Sequence, residues 1–339
     1  MRKLAIIFLS AVVSLSAFSG CSSSSPSSAE SANTADNSAS AEQTTKADSG
    51  NGEKIKIGVA ICNYKDNFQV YMRDAMMEQA GKYPNYEFIF SDGNEDVGKQ
   101  IGQVEDFISA GAKGIIVVPV NVDTAGPMVT ACKEAGIPLV TVNRLINNQE
   151  EVGPYVGSES IQAGILQAEY VFEQMGGKGK AVILMGPAGS ENTVMRTQGV
   201  HQVRDGKYPD IEIVAEEIGN WNRDEGMRIV ETWLQSGLEF DAVLANNDEM
   251  AMGAAISLEA AGKRDDVIIA GVDAIKDALE FMKEGRLDVT VFQDAKGQGR
   301  GGIDTIVAAV EGTLNEQMVW IPFELVTPEK ADEYLAMVA

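Results

Sequence analysis

From Lys54 onward, short runs of β-branched and other apolar residues alternate with longer stretches in which apolar positions return every three or four residues. The short runs, at 55–61, 87–91, 114–118, 139–143, 181–185, 211–216, 242–245, 267–272 and 289–292, read as strands. Between them the longer period predicts helices, among them 68–82, 96–110, 161–175, 223–235 and 249–261. Gly81, Gly111, Gly136, Gly176, Gly262 and Gly285 stand where helices end, as C-terminal caps. Strands that are apolar throughout and separated by helices belong in parallel sheets covered on both faces. Two groups of such units are visible, one to about Val156 and one from about Gly157, with no repeat strong enough for a solenoid. The expected fold class is α/β, with two doubly wound lobes of similar size.

The chain begins with Arg2 and Lys3, continues through an apolar run at 4–18 and reaches Ser19-Gly20-Cys21. That run is shorter than the roughly 20 residues needed to cross a bilayer and reads as a secretion signal over 1–20. Its small-small-Cys end resembles the lipobox of bacterial lipoproteins, in which Cys21 would carry lipid, although Phe18 stands where that pattern usually has Leu. Residues 21–52 are rich in Ser, Ala, Thr and Asn and have too little apolar surface to offset ordering entropy, so a disordered tether is expected there. Its root-mean-square span would be roughly 30 Å. Without the signal, 25 basic residues face 50 acidic ones, a formal charge of −25. Nucleic acid and anionic lipid are poor partners for such a chain. Besides Cys21 only Cys62 and Cys132 occur, which is no disulfide framework.

Polar residues gather where strands end. The first strand runs through Cys62-Asn63-Tyr64-Lys65 to Asp66 and Phe68, and Asp66 with Gln69 fits a capping-box variant. The fourth delivers Asn143 and Arg144; the fifth leads into a loop ending at Asn192, with Arg196 about one turn into the next helix. The seventh delivers Asn247 and Asp248, the eighth Asp273 and the ninth Gln293. In open α/β sheets this edge is where ligands bind. A helix cap explains one such residue but not Asn143-Arg144 or Gln293. Amides, carboxylates and guanidiniums together supply donors and acceptors in both directions, which a neutral polyhydroxylated ligand requires. Phe68 and Trp221 are placed to stack on the C–H faces of a ring; Phe68 fits a hydrophobic staple equally well, whereas Trp221, between Asn220 and Asn222 in a polar turn, fits a core position less well. Of the pair at the seventh strand end, Asn247 is assigned to ligand and Asp248 to the helix cap.

These segments carry a resemblance. Ile57-Gly58-Val59 with Tyr64-Lys65-Asp66-Asn67-Phe68, Tyr155-Val156-Gly157, Ala245 through Ala254, and Gly271-Val272-Asp273-Ala274 resemble, in order and spacing, the bacterial periplasmic sugar-binding proteins of the ribose and galactose type. The likeness runs from Lys54 to about Tyr334 and is nearest to the galactose/glucose-binding members. It implies the type I fold, with lobes of 53–157 plus 294–322 and 158–293 plus 323–339 joined by three crossovers. The crossovers would lie near Gly157-Ser158, Gln293-Asp294 and Pro322-Phe323. It also implies that a sugar is captured between the lobes and delivered to the permease subunits of an ABC importer by a monomeric, membrane-anchored, extracytoplasmic protein. The family's sugar contacts carry over to Asp66, Phe68, Asn143, Arg196, Trp221, Asn247 and Asp273. The sequence departs from the galactose/glucose pattern at Cys62, Ser190, Asn192 and Gln293, and Val-Asn-Arg after the fourth strand is similar to inositol-binding members. A hexose, a pentose and a polyol such as myo-inositol therefore all stay open as ligand. The calcium loop of the galactose/glucose type corresponds to residues 176–180, which have no side-chain oxygen here, so calcium is not expected.

Other classes fit less well. The lone His201, placed on an exposed helix face, cannot build a Ser-His-Asp set, and no metal-ligand spacing or phosphate loop occurs, so neither enzyme, metal nor cofactor is expected. A sugar-responsive repressor would need a basic helix-turn-helix in place of the signal. A receptor presenting sugar to a sensor kinase or chemoreceptor remains compatible with the sequence.

Overall fold

The computed structural model describes residues 53–338; the expected signal, Cys21, the tether and Ala339 lie outside them. The first half of the chain comprises β1 (Ile55–Ile61), α1 (Asn67–Ala80), β2 (Tyr86–Asp92), α2 (Val97–Ser109), β3 (Gly114–Val117), α3 (Gly126–Ala135), β4 (Leu139–Val142), α4 (Gln149–Val152) and β5 (Tyr155–Gly157). There follow α5 (Ser160–Gln174), β6 (Lys178–Met185), α6 (Glu191–Lys207), β7 (Asp210–Ile218), α7 (Arg223–Gln235), β8 (Ala242–Ala245), α8 (Asp248–Ala260), β9 (Ile268–Ala270) and α9 (Lys276–Lys283). The last elements are β10 (Thr290–Phe292), α10 (Ala295–Glu311), β11 (Met318–Trp320), β12 (Glu324–Val326) and α11 (Ala331–Val338).

Six strands form one sheet in the order β11-β5-β4-β3-β1-β2, and four form a second in the order β7-β6-β8-β9. Every pairing within these two sheets is parallel. Isolated parallel bridges, Ala270 to Val289 and Asp273 to Phe292, set β10 beside β9, and β12 pairs antiparallel with β10. The chain thus passes between the sheets after β5, after β10 and after β11.

The apolar strands are covered on both faces. In β1, Ile57, Val59 and Ile61 pack with Met72 and Met76 of α1 and Ile303 of α10. Ala60 faces the other way, toward Val104 and Phe107 of α2 and Met128 of α3. In β6, Val182 and Leu184 meet α7 and α8 through Trp233 and Met252, whereas Ala181 and Ile183 meet α5 and α6 through Phe172 and Val200. Each fully buried aliphatic side chain contributes about 1.5–3 kcal/mol relative to exposure, so these layers fix the register of the strand ends above them.

The three-residue strands β5, β11 and β12 escape the pattern, because so few residues carry no period; they are ordered by the strands beside them. Gly111, Gly136, Gly176, Gly262 and Gly285 adopt the left-handed conformation expected past a helix end, but Gly81 has φ −61° and ends α1 without it. His201, expected to be exposed, is half-buried, with Nε2 2.8 Å from Glu216.

Candidate functional site

Ten side chains singled out at the strand ends surround one cavity: Asp66, Phe68, Asn143, Arg144, Asn192, Arg196, Trp221, Asn247, Asp273 and Gln293. Gln69 joins them. The cavity, about 250 Å³, lies between the two sheets' carboxyl edges. It is smaller than the roughly 300–1,000 Å³ that holds drug-sized ligands.

On the first-lobe side, Asp66 is the N-cap of α1 and accepts from Phe68 N at 2.8 Å. The expected capping box is not made: Gln69 turns away from the cap and donates through Nε2 to Asn143 Oδ1 at 3.3 Å. This brings the Gln69 amide to the cavity wall, a placement decided by α1's rotation rather than by any strand end. Asn143 follows β4 with φ 68°, which Asn tolerates better than most residues. Its Nδ2 donates to Gln298 Oε1 of α10 at 3.0 Å. Arg144 is almost fully buried and donates through Nη1 to the Pro119 carbonyl at 2.8 Å.

On the second-lobe side, Arg196 organises the wall. Nη1 donates to the Asn246 carbonyl and Nη2 to Gln293 Oε1 at 2.8 Å, while Nη1 stands 3.5 Å from Asp273 Oδ1. Its guanidinium lies over the rings of Trp221 and Phe323, 5.8 Å from each centroid. Gly164 of α5 makes this position possible: a Cβ there would come within 1.9 Å of the Arg196 carbonyl oxygen, so only glycine lets α5 and α6 approach so closely.

The roles of Asn247 and Asp248 differ from the expectation. Asn247, the cavity-lining residue, is also the N-cap of α8, accepting from Met250 N at 3.1 Å and donating to the Trp221 carbonyl at 3.3 Å. Asp248 is not the cap: it is the first residue of α8, fully buried, and accepts from Ile275 N at 2.9 Å and Thr290 Oγ1 at 2.6 Å. Asp248 thus ties the loop that carries Asp273, through Ile275, to the start of β10, through Thr290. Asn192 accepts from Ser160 Oγ at 3.4 Å. Ser190 is buried but does not line the cavity. Neither does Cys62, whose thiol is pushed up to about 12 by burial and is no nucleophile.

Two carboxylates and two guanidiniums balance in formal charge around the cavity. Burial pushes the carboxyls of Asp66 and Asp273 upward, with hydrogen bonding from Phe68 N opposing the shift at Asp66 and Arg196 opposing it at Asp273. Several buried polar atoms of the wall have no protein partner, among them Gln69 Oε1, Arg144 Nε, Arg196 Nε, Trp221 Nε1 and Gln293 Nε2. The wall therefore offers both acceptors and donors to a solute, and each would cost about 1–3 kcal/mol if buried unpaired. Among the described residues no group of three or more His, Cys, Asp or Glu side chains could hold a metal ion.

Two parallel-sheet bodies linked by three chain passages, with a charge-balanced polar cavity between them, define an interlobe solute-binding protein. The chain belongs to the periplasmic binding protein family, whose domain it matches over residues 57–314, and within it to the type I sugar-binding proteins of ABC importers. It is 42% identical over 283 residues to a protein of Rhizobium meliloti named for rhizopine binding, covering 82% of this chain and 92% of that one. It is 35% identical to the xylitol-binding protein of Mycolicibacterium smegmatis, covering 78% and 74% of the two chains. An ABC transporter solute-binding protein from Bacillus halodurans, solved with bound myo-inositol, superposes with a TM-score of 0.81 at 48% identity, over 85% of this chain and 99% of that one. This is an extracytoplasmic binding protein and not an enzyme.

Proposed function

We propose that the chain captures a neutral polyol of the inositol class in the cavity and delivers it to the permease of an ABC importer. The observation that carries this reading is the 48% identity, across 85% of the chain, to a solute-binding protein holding myo-inositol. The relatives named for rhizopine and xylitol support it. So does the wall itself: balanced charge suits an uncharged solute, and alternating acceptors and donors suit a ring bearing hydroxyls on every side. Of the ligands left open by the sequence, galactose and glucose fit less well, because Ser190 and Asn192 stand where that type has His and Asp.

The ten cavity residues named from the sequence, with Gln69, would be the ligand contacts. The lobes, 53–157 plus 294–322 and 158–293 plus 323–339, would open and close about the three passages, and the closed form is what a permease would read. Cys21 would hold the protein at the membrane by its lipid, with 21–52 as leash and the monomer as the working unit. Isothermal titration against myo-inositol, xylitol, ribose, glucose and galactose tests the ligand. The expected result is a micromolar dissociation constant for myo-inositol, about −8 kcal/mol, with at least tenfold weaker binding of the aldoses. Binding of an aldose in preference to every polyol would overturn the reading.

A further inference from the structure

Two of the hydrogen bonds that join the lobes flank one stretch of the cleft rim. Asn67 Nδ2 of α1 donates to Glu249 Oε1 of α8 at 2.6 Å, and Val122 N donates to the Gly189 carbonyl at 3.3 Å. Between the residues next to these contacts runs a groove of about 1,150 Å³, including its open side. Lys65, Glu95 and Asn121 stand on its first-lobe bank, and Ala188, Asn220 and Trp221 on the other. Asp66 and Trp221 line both the groove and the cavity, so the two spaces adjoin at these side chains. The groove thus lies between two contacts of the closed rim and borders the ligand site.

The banks are built rigidly. Glu95 and Trp221 both take the left-handed conformation, at φ 59° and 60°, which is uncommon for either residue type and persists only where the surroundings over-determine it. Glu95 is held by its own N–H donating to the Cys62 carbonyl at 2.8 Å and by Asn63 Nδ2 on its carboxylate. Trp221 is 91% buried, presents an apolar ring to the groove, and its indole N–H has no protein partner. A ring flanked by amides and charged groups is suited to stack on and hydrogen-bond a sugar-like unit.

We infer that the protein's solutes include ring polyols carrying a hydrophilic O-linked substituent, such as a glycosyl group, with the ring in the cavity and the substituent in this groove. This rests on the polyol reading of the cavity and extends it. Such a ligand could be bound with both rim contacts made, so its substituent would not hold the lobes apart.

The test compares myo-inositol with a hexosyl-myo-inositol by titration calorimetry, using the wild-type protein and two variants that fill the groove from opposite banks, Ala188→Trp and Lys65→Trp. Both positions are exposed, and folding is checked by thermal melting. The expected result is that wild type binds both ligands within about tenfold. Each filled variant should lose at least tenfold for the hexosyl compound while holding myo-inositol within about twofold. Wild type that binds myo-inositol but rejects the hexosyl compound by a hundredfold would overturn the inference and leave the polyol reading intact. Equal losses of both ligands in the filled variants would overturn it as well. Failure of wild type to bind either ligand would overturn the polyol reading itself.

Discussion

Asn67 and Glu249 join the two lobes by a 2.6 Å hydrogen bond without lining the cavity. Glu249 is also held at 2.7 Å by Arg223, which reaches Asp277 at 3.2 Å, so the acceptor is fixed before the lobes meet. A contact made only in the closed form adds to the apparent affinity of any ligand that closes the protein. Asn67→Ala is expected to weaken binding about five- to tenfold, in line with the net worth of one part-exposed hydrogen bond, about 1 kcal/mol. The loss should be the same for every ligand bound and should lie in the dissociation rate; a ligand-dependent loss, measured by stopped-flow and calorimetry, would reject this role.

Arg196 and Asp273 are both buried and 3.5 Å apart. Alanine at either position leaves the other charge without its partner and removes a group from the cavity wall. Each variant is expected to bind at least about tenfold more weakly. Arg196→Lys should not restore affinity, because a lysine cannot reproduce the fork that spans the Asn246 carbonyl and Gln293. Unchanged affinity of Asp273→Ala in a calorimetric titration would remove that residue from the site.

Gln69 has Nε2 on Asn143 and Oε1 without a protein partner. Gln69→Met keeps the volume and removes the acceptor. Binding should fall about five- to thirtyfold, as for loss of one or two hydrogen bonds. Thermal midpoints of the ligand-free protein should change by only a few degrees, which separates the effect from a folding defect.

Asp248 ties α8 to the loop at Ile275 and to Thr290. Asp248→Ala strands two buried donors, at a cost of about 2–4 kcal/mol, and a fall in melting temperature of roughly 5 °C or more is expected. Thr290→Val should cost less, since the carboxylate keeps Ile275 N.

Glu191, at the start of α6, is pushed up to about 7 by burial; the hydrogen bond from Ser160 and the charges of Arg196 and Arg144 oppose the shift without cancelling it. Its ordinary value is 4.5. A carboxyl raised on folding binds its proton more tightly in the native state. Its contribution to stability is therefore fully present below about 4.5 and is lost as pH rises through about 7. The melting temperature of wild type relative to Glu191→Gln should fall across that window and level off above it. A difference that stays constant from pH 4.5 to 8.5 would show that Glu191 titrates normally.

Much of this site is legible in the sequence, for a specific reason. A parallel strand buried on both faces must be apolar throughout, so the first polar residue after it marks its carboxyl end. Asn143, Asp273 and Gln293 each announce themselves this way, and Asn247 stands one residue behind such a marker, Asn246. Gln69 and Asn67 do not: they sit in the first turn of α1, where a polar residue is ordinary. Only the helix's rotation sends one into the cavity and the other to the opposite lobe. His201 looked like a surface residue because its helix is largely polar, and only the position of β7 brings Glu216 against it.

The sequence by itself determined the alternation of strands and helices, the two groups of units and the edge at which polar groups collect, because period and burial are properties of the local chain. Only the tertiary structure decided which of two neighbours does which task. Asn247 and Asp248 are adjacent and chemically alike, yet the change from extended backbone at the cap to helix at the next residue turns Asn247 toward the cavity and Asp248 into the core beneath Thr290. Where each then points is set by how α8 packs against α7 and β9, which no local pattern encodes.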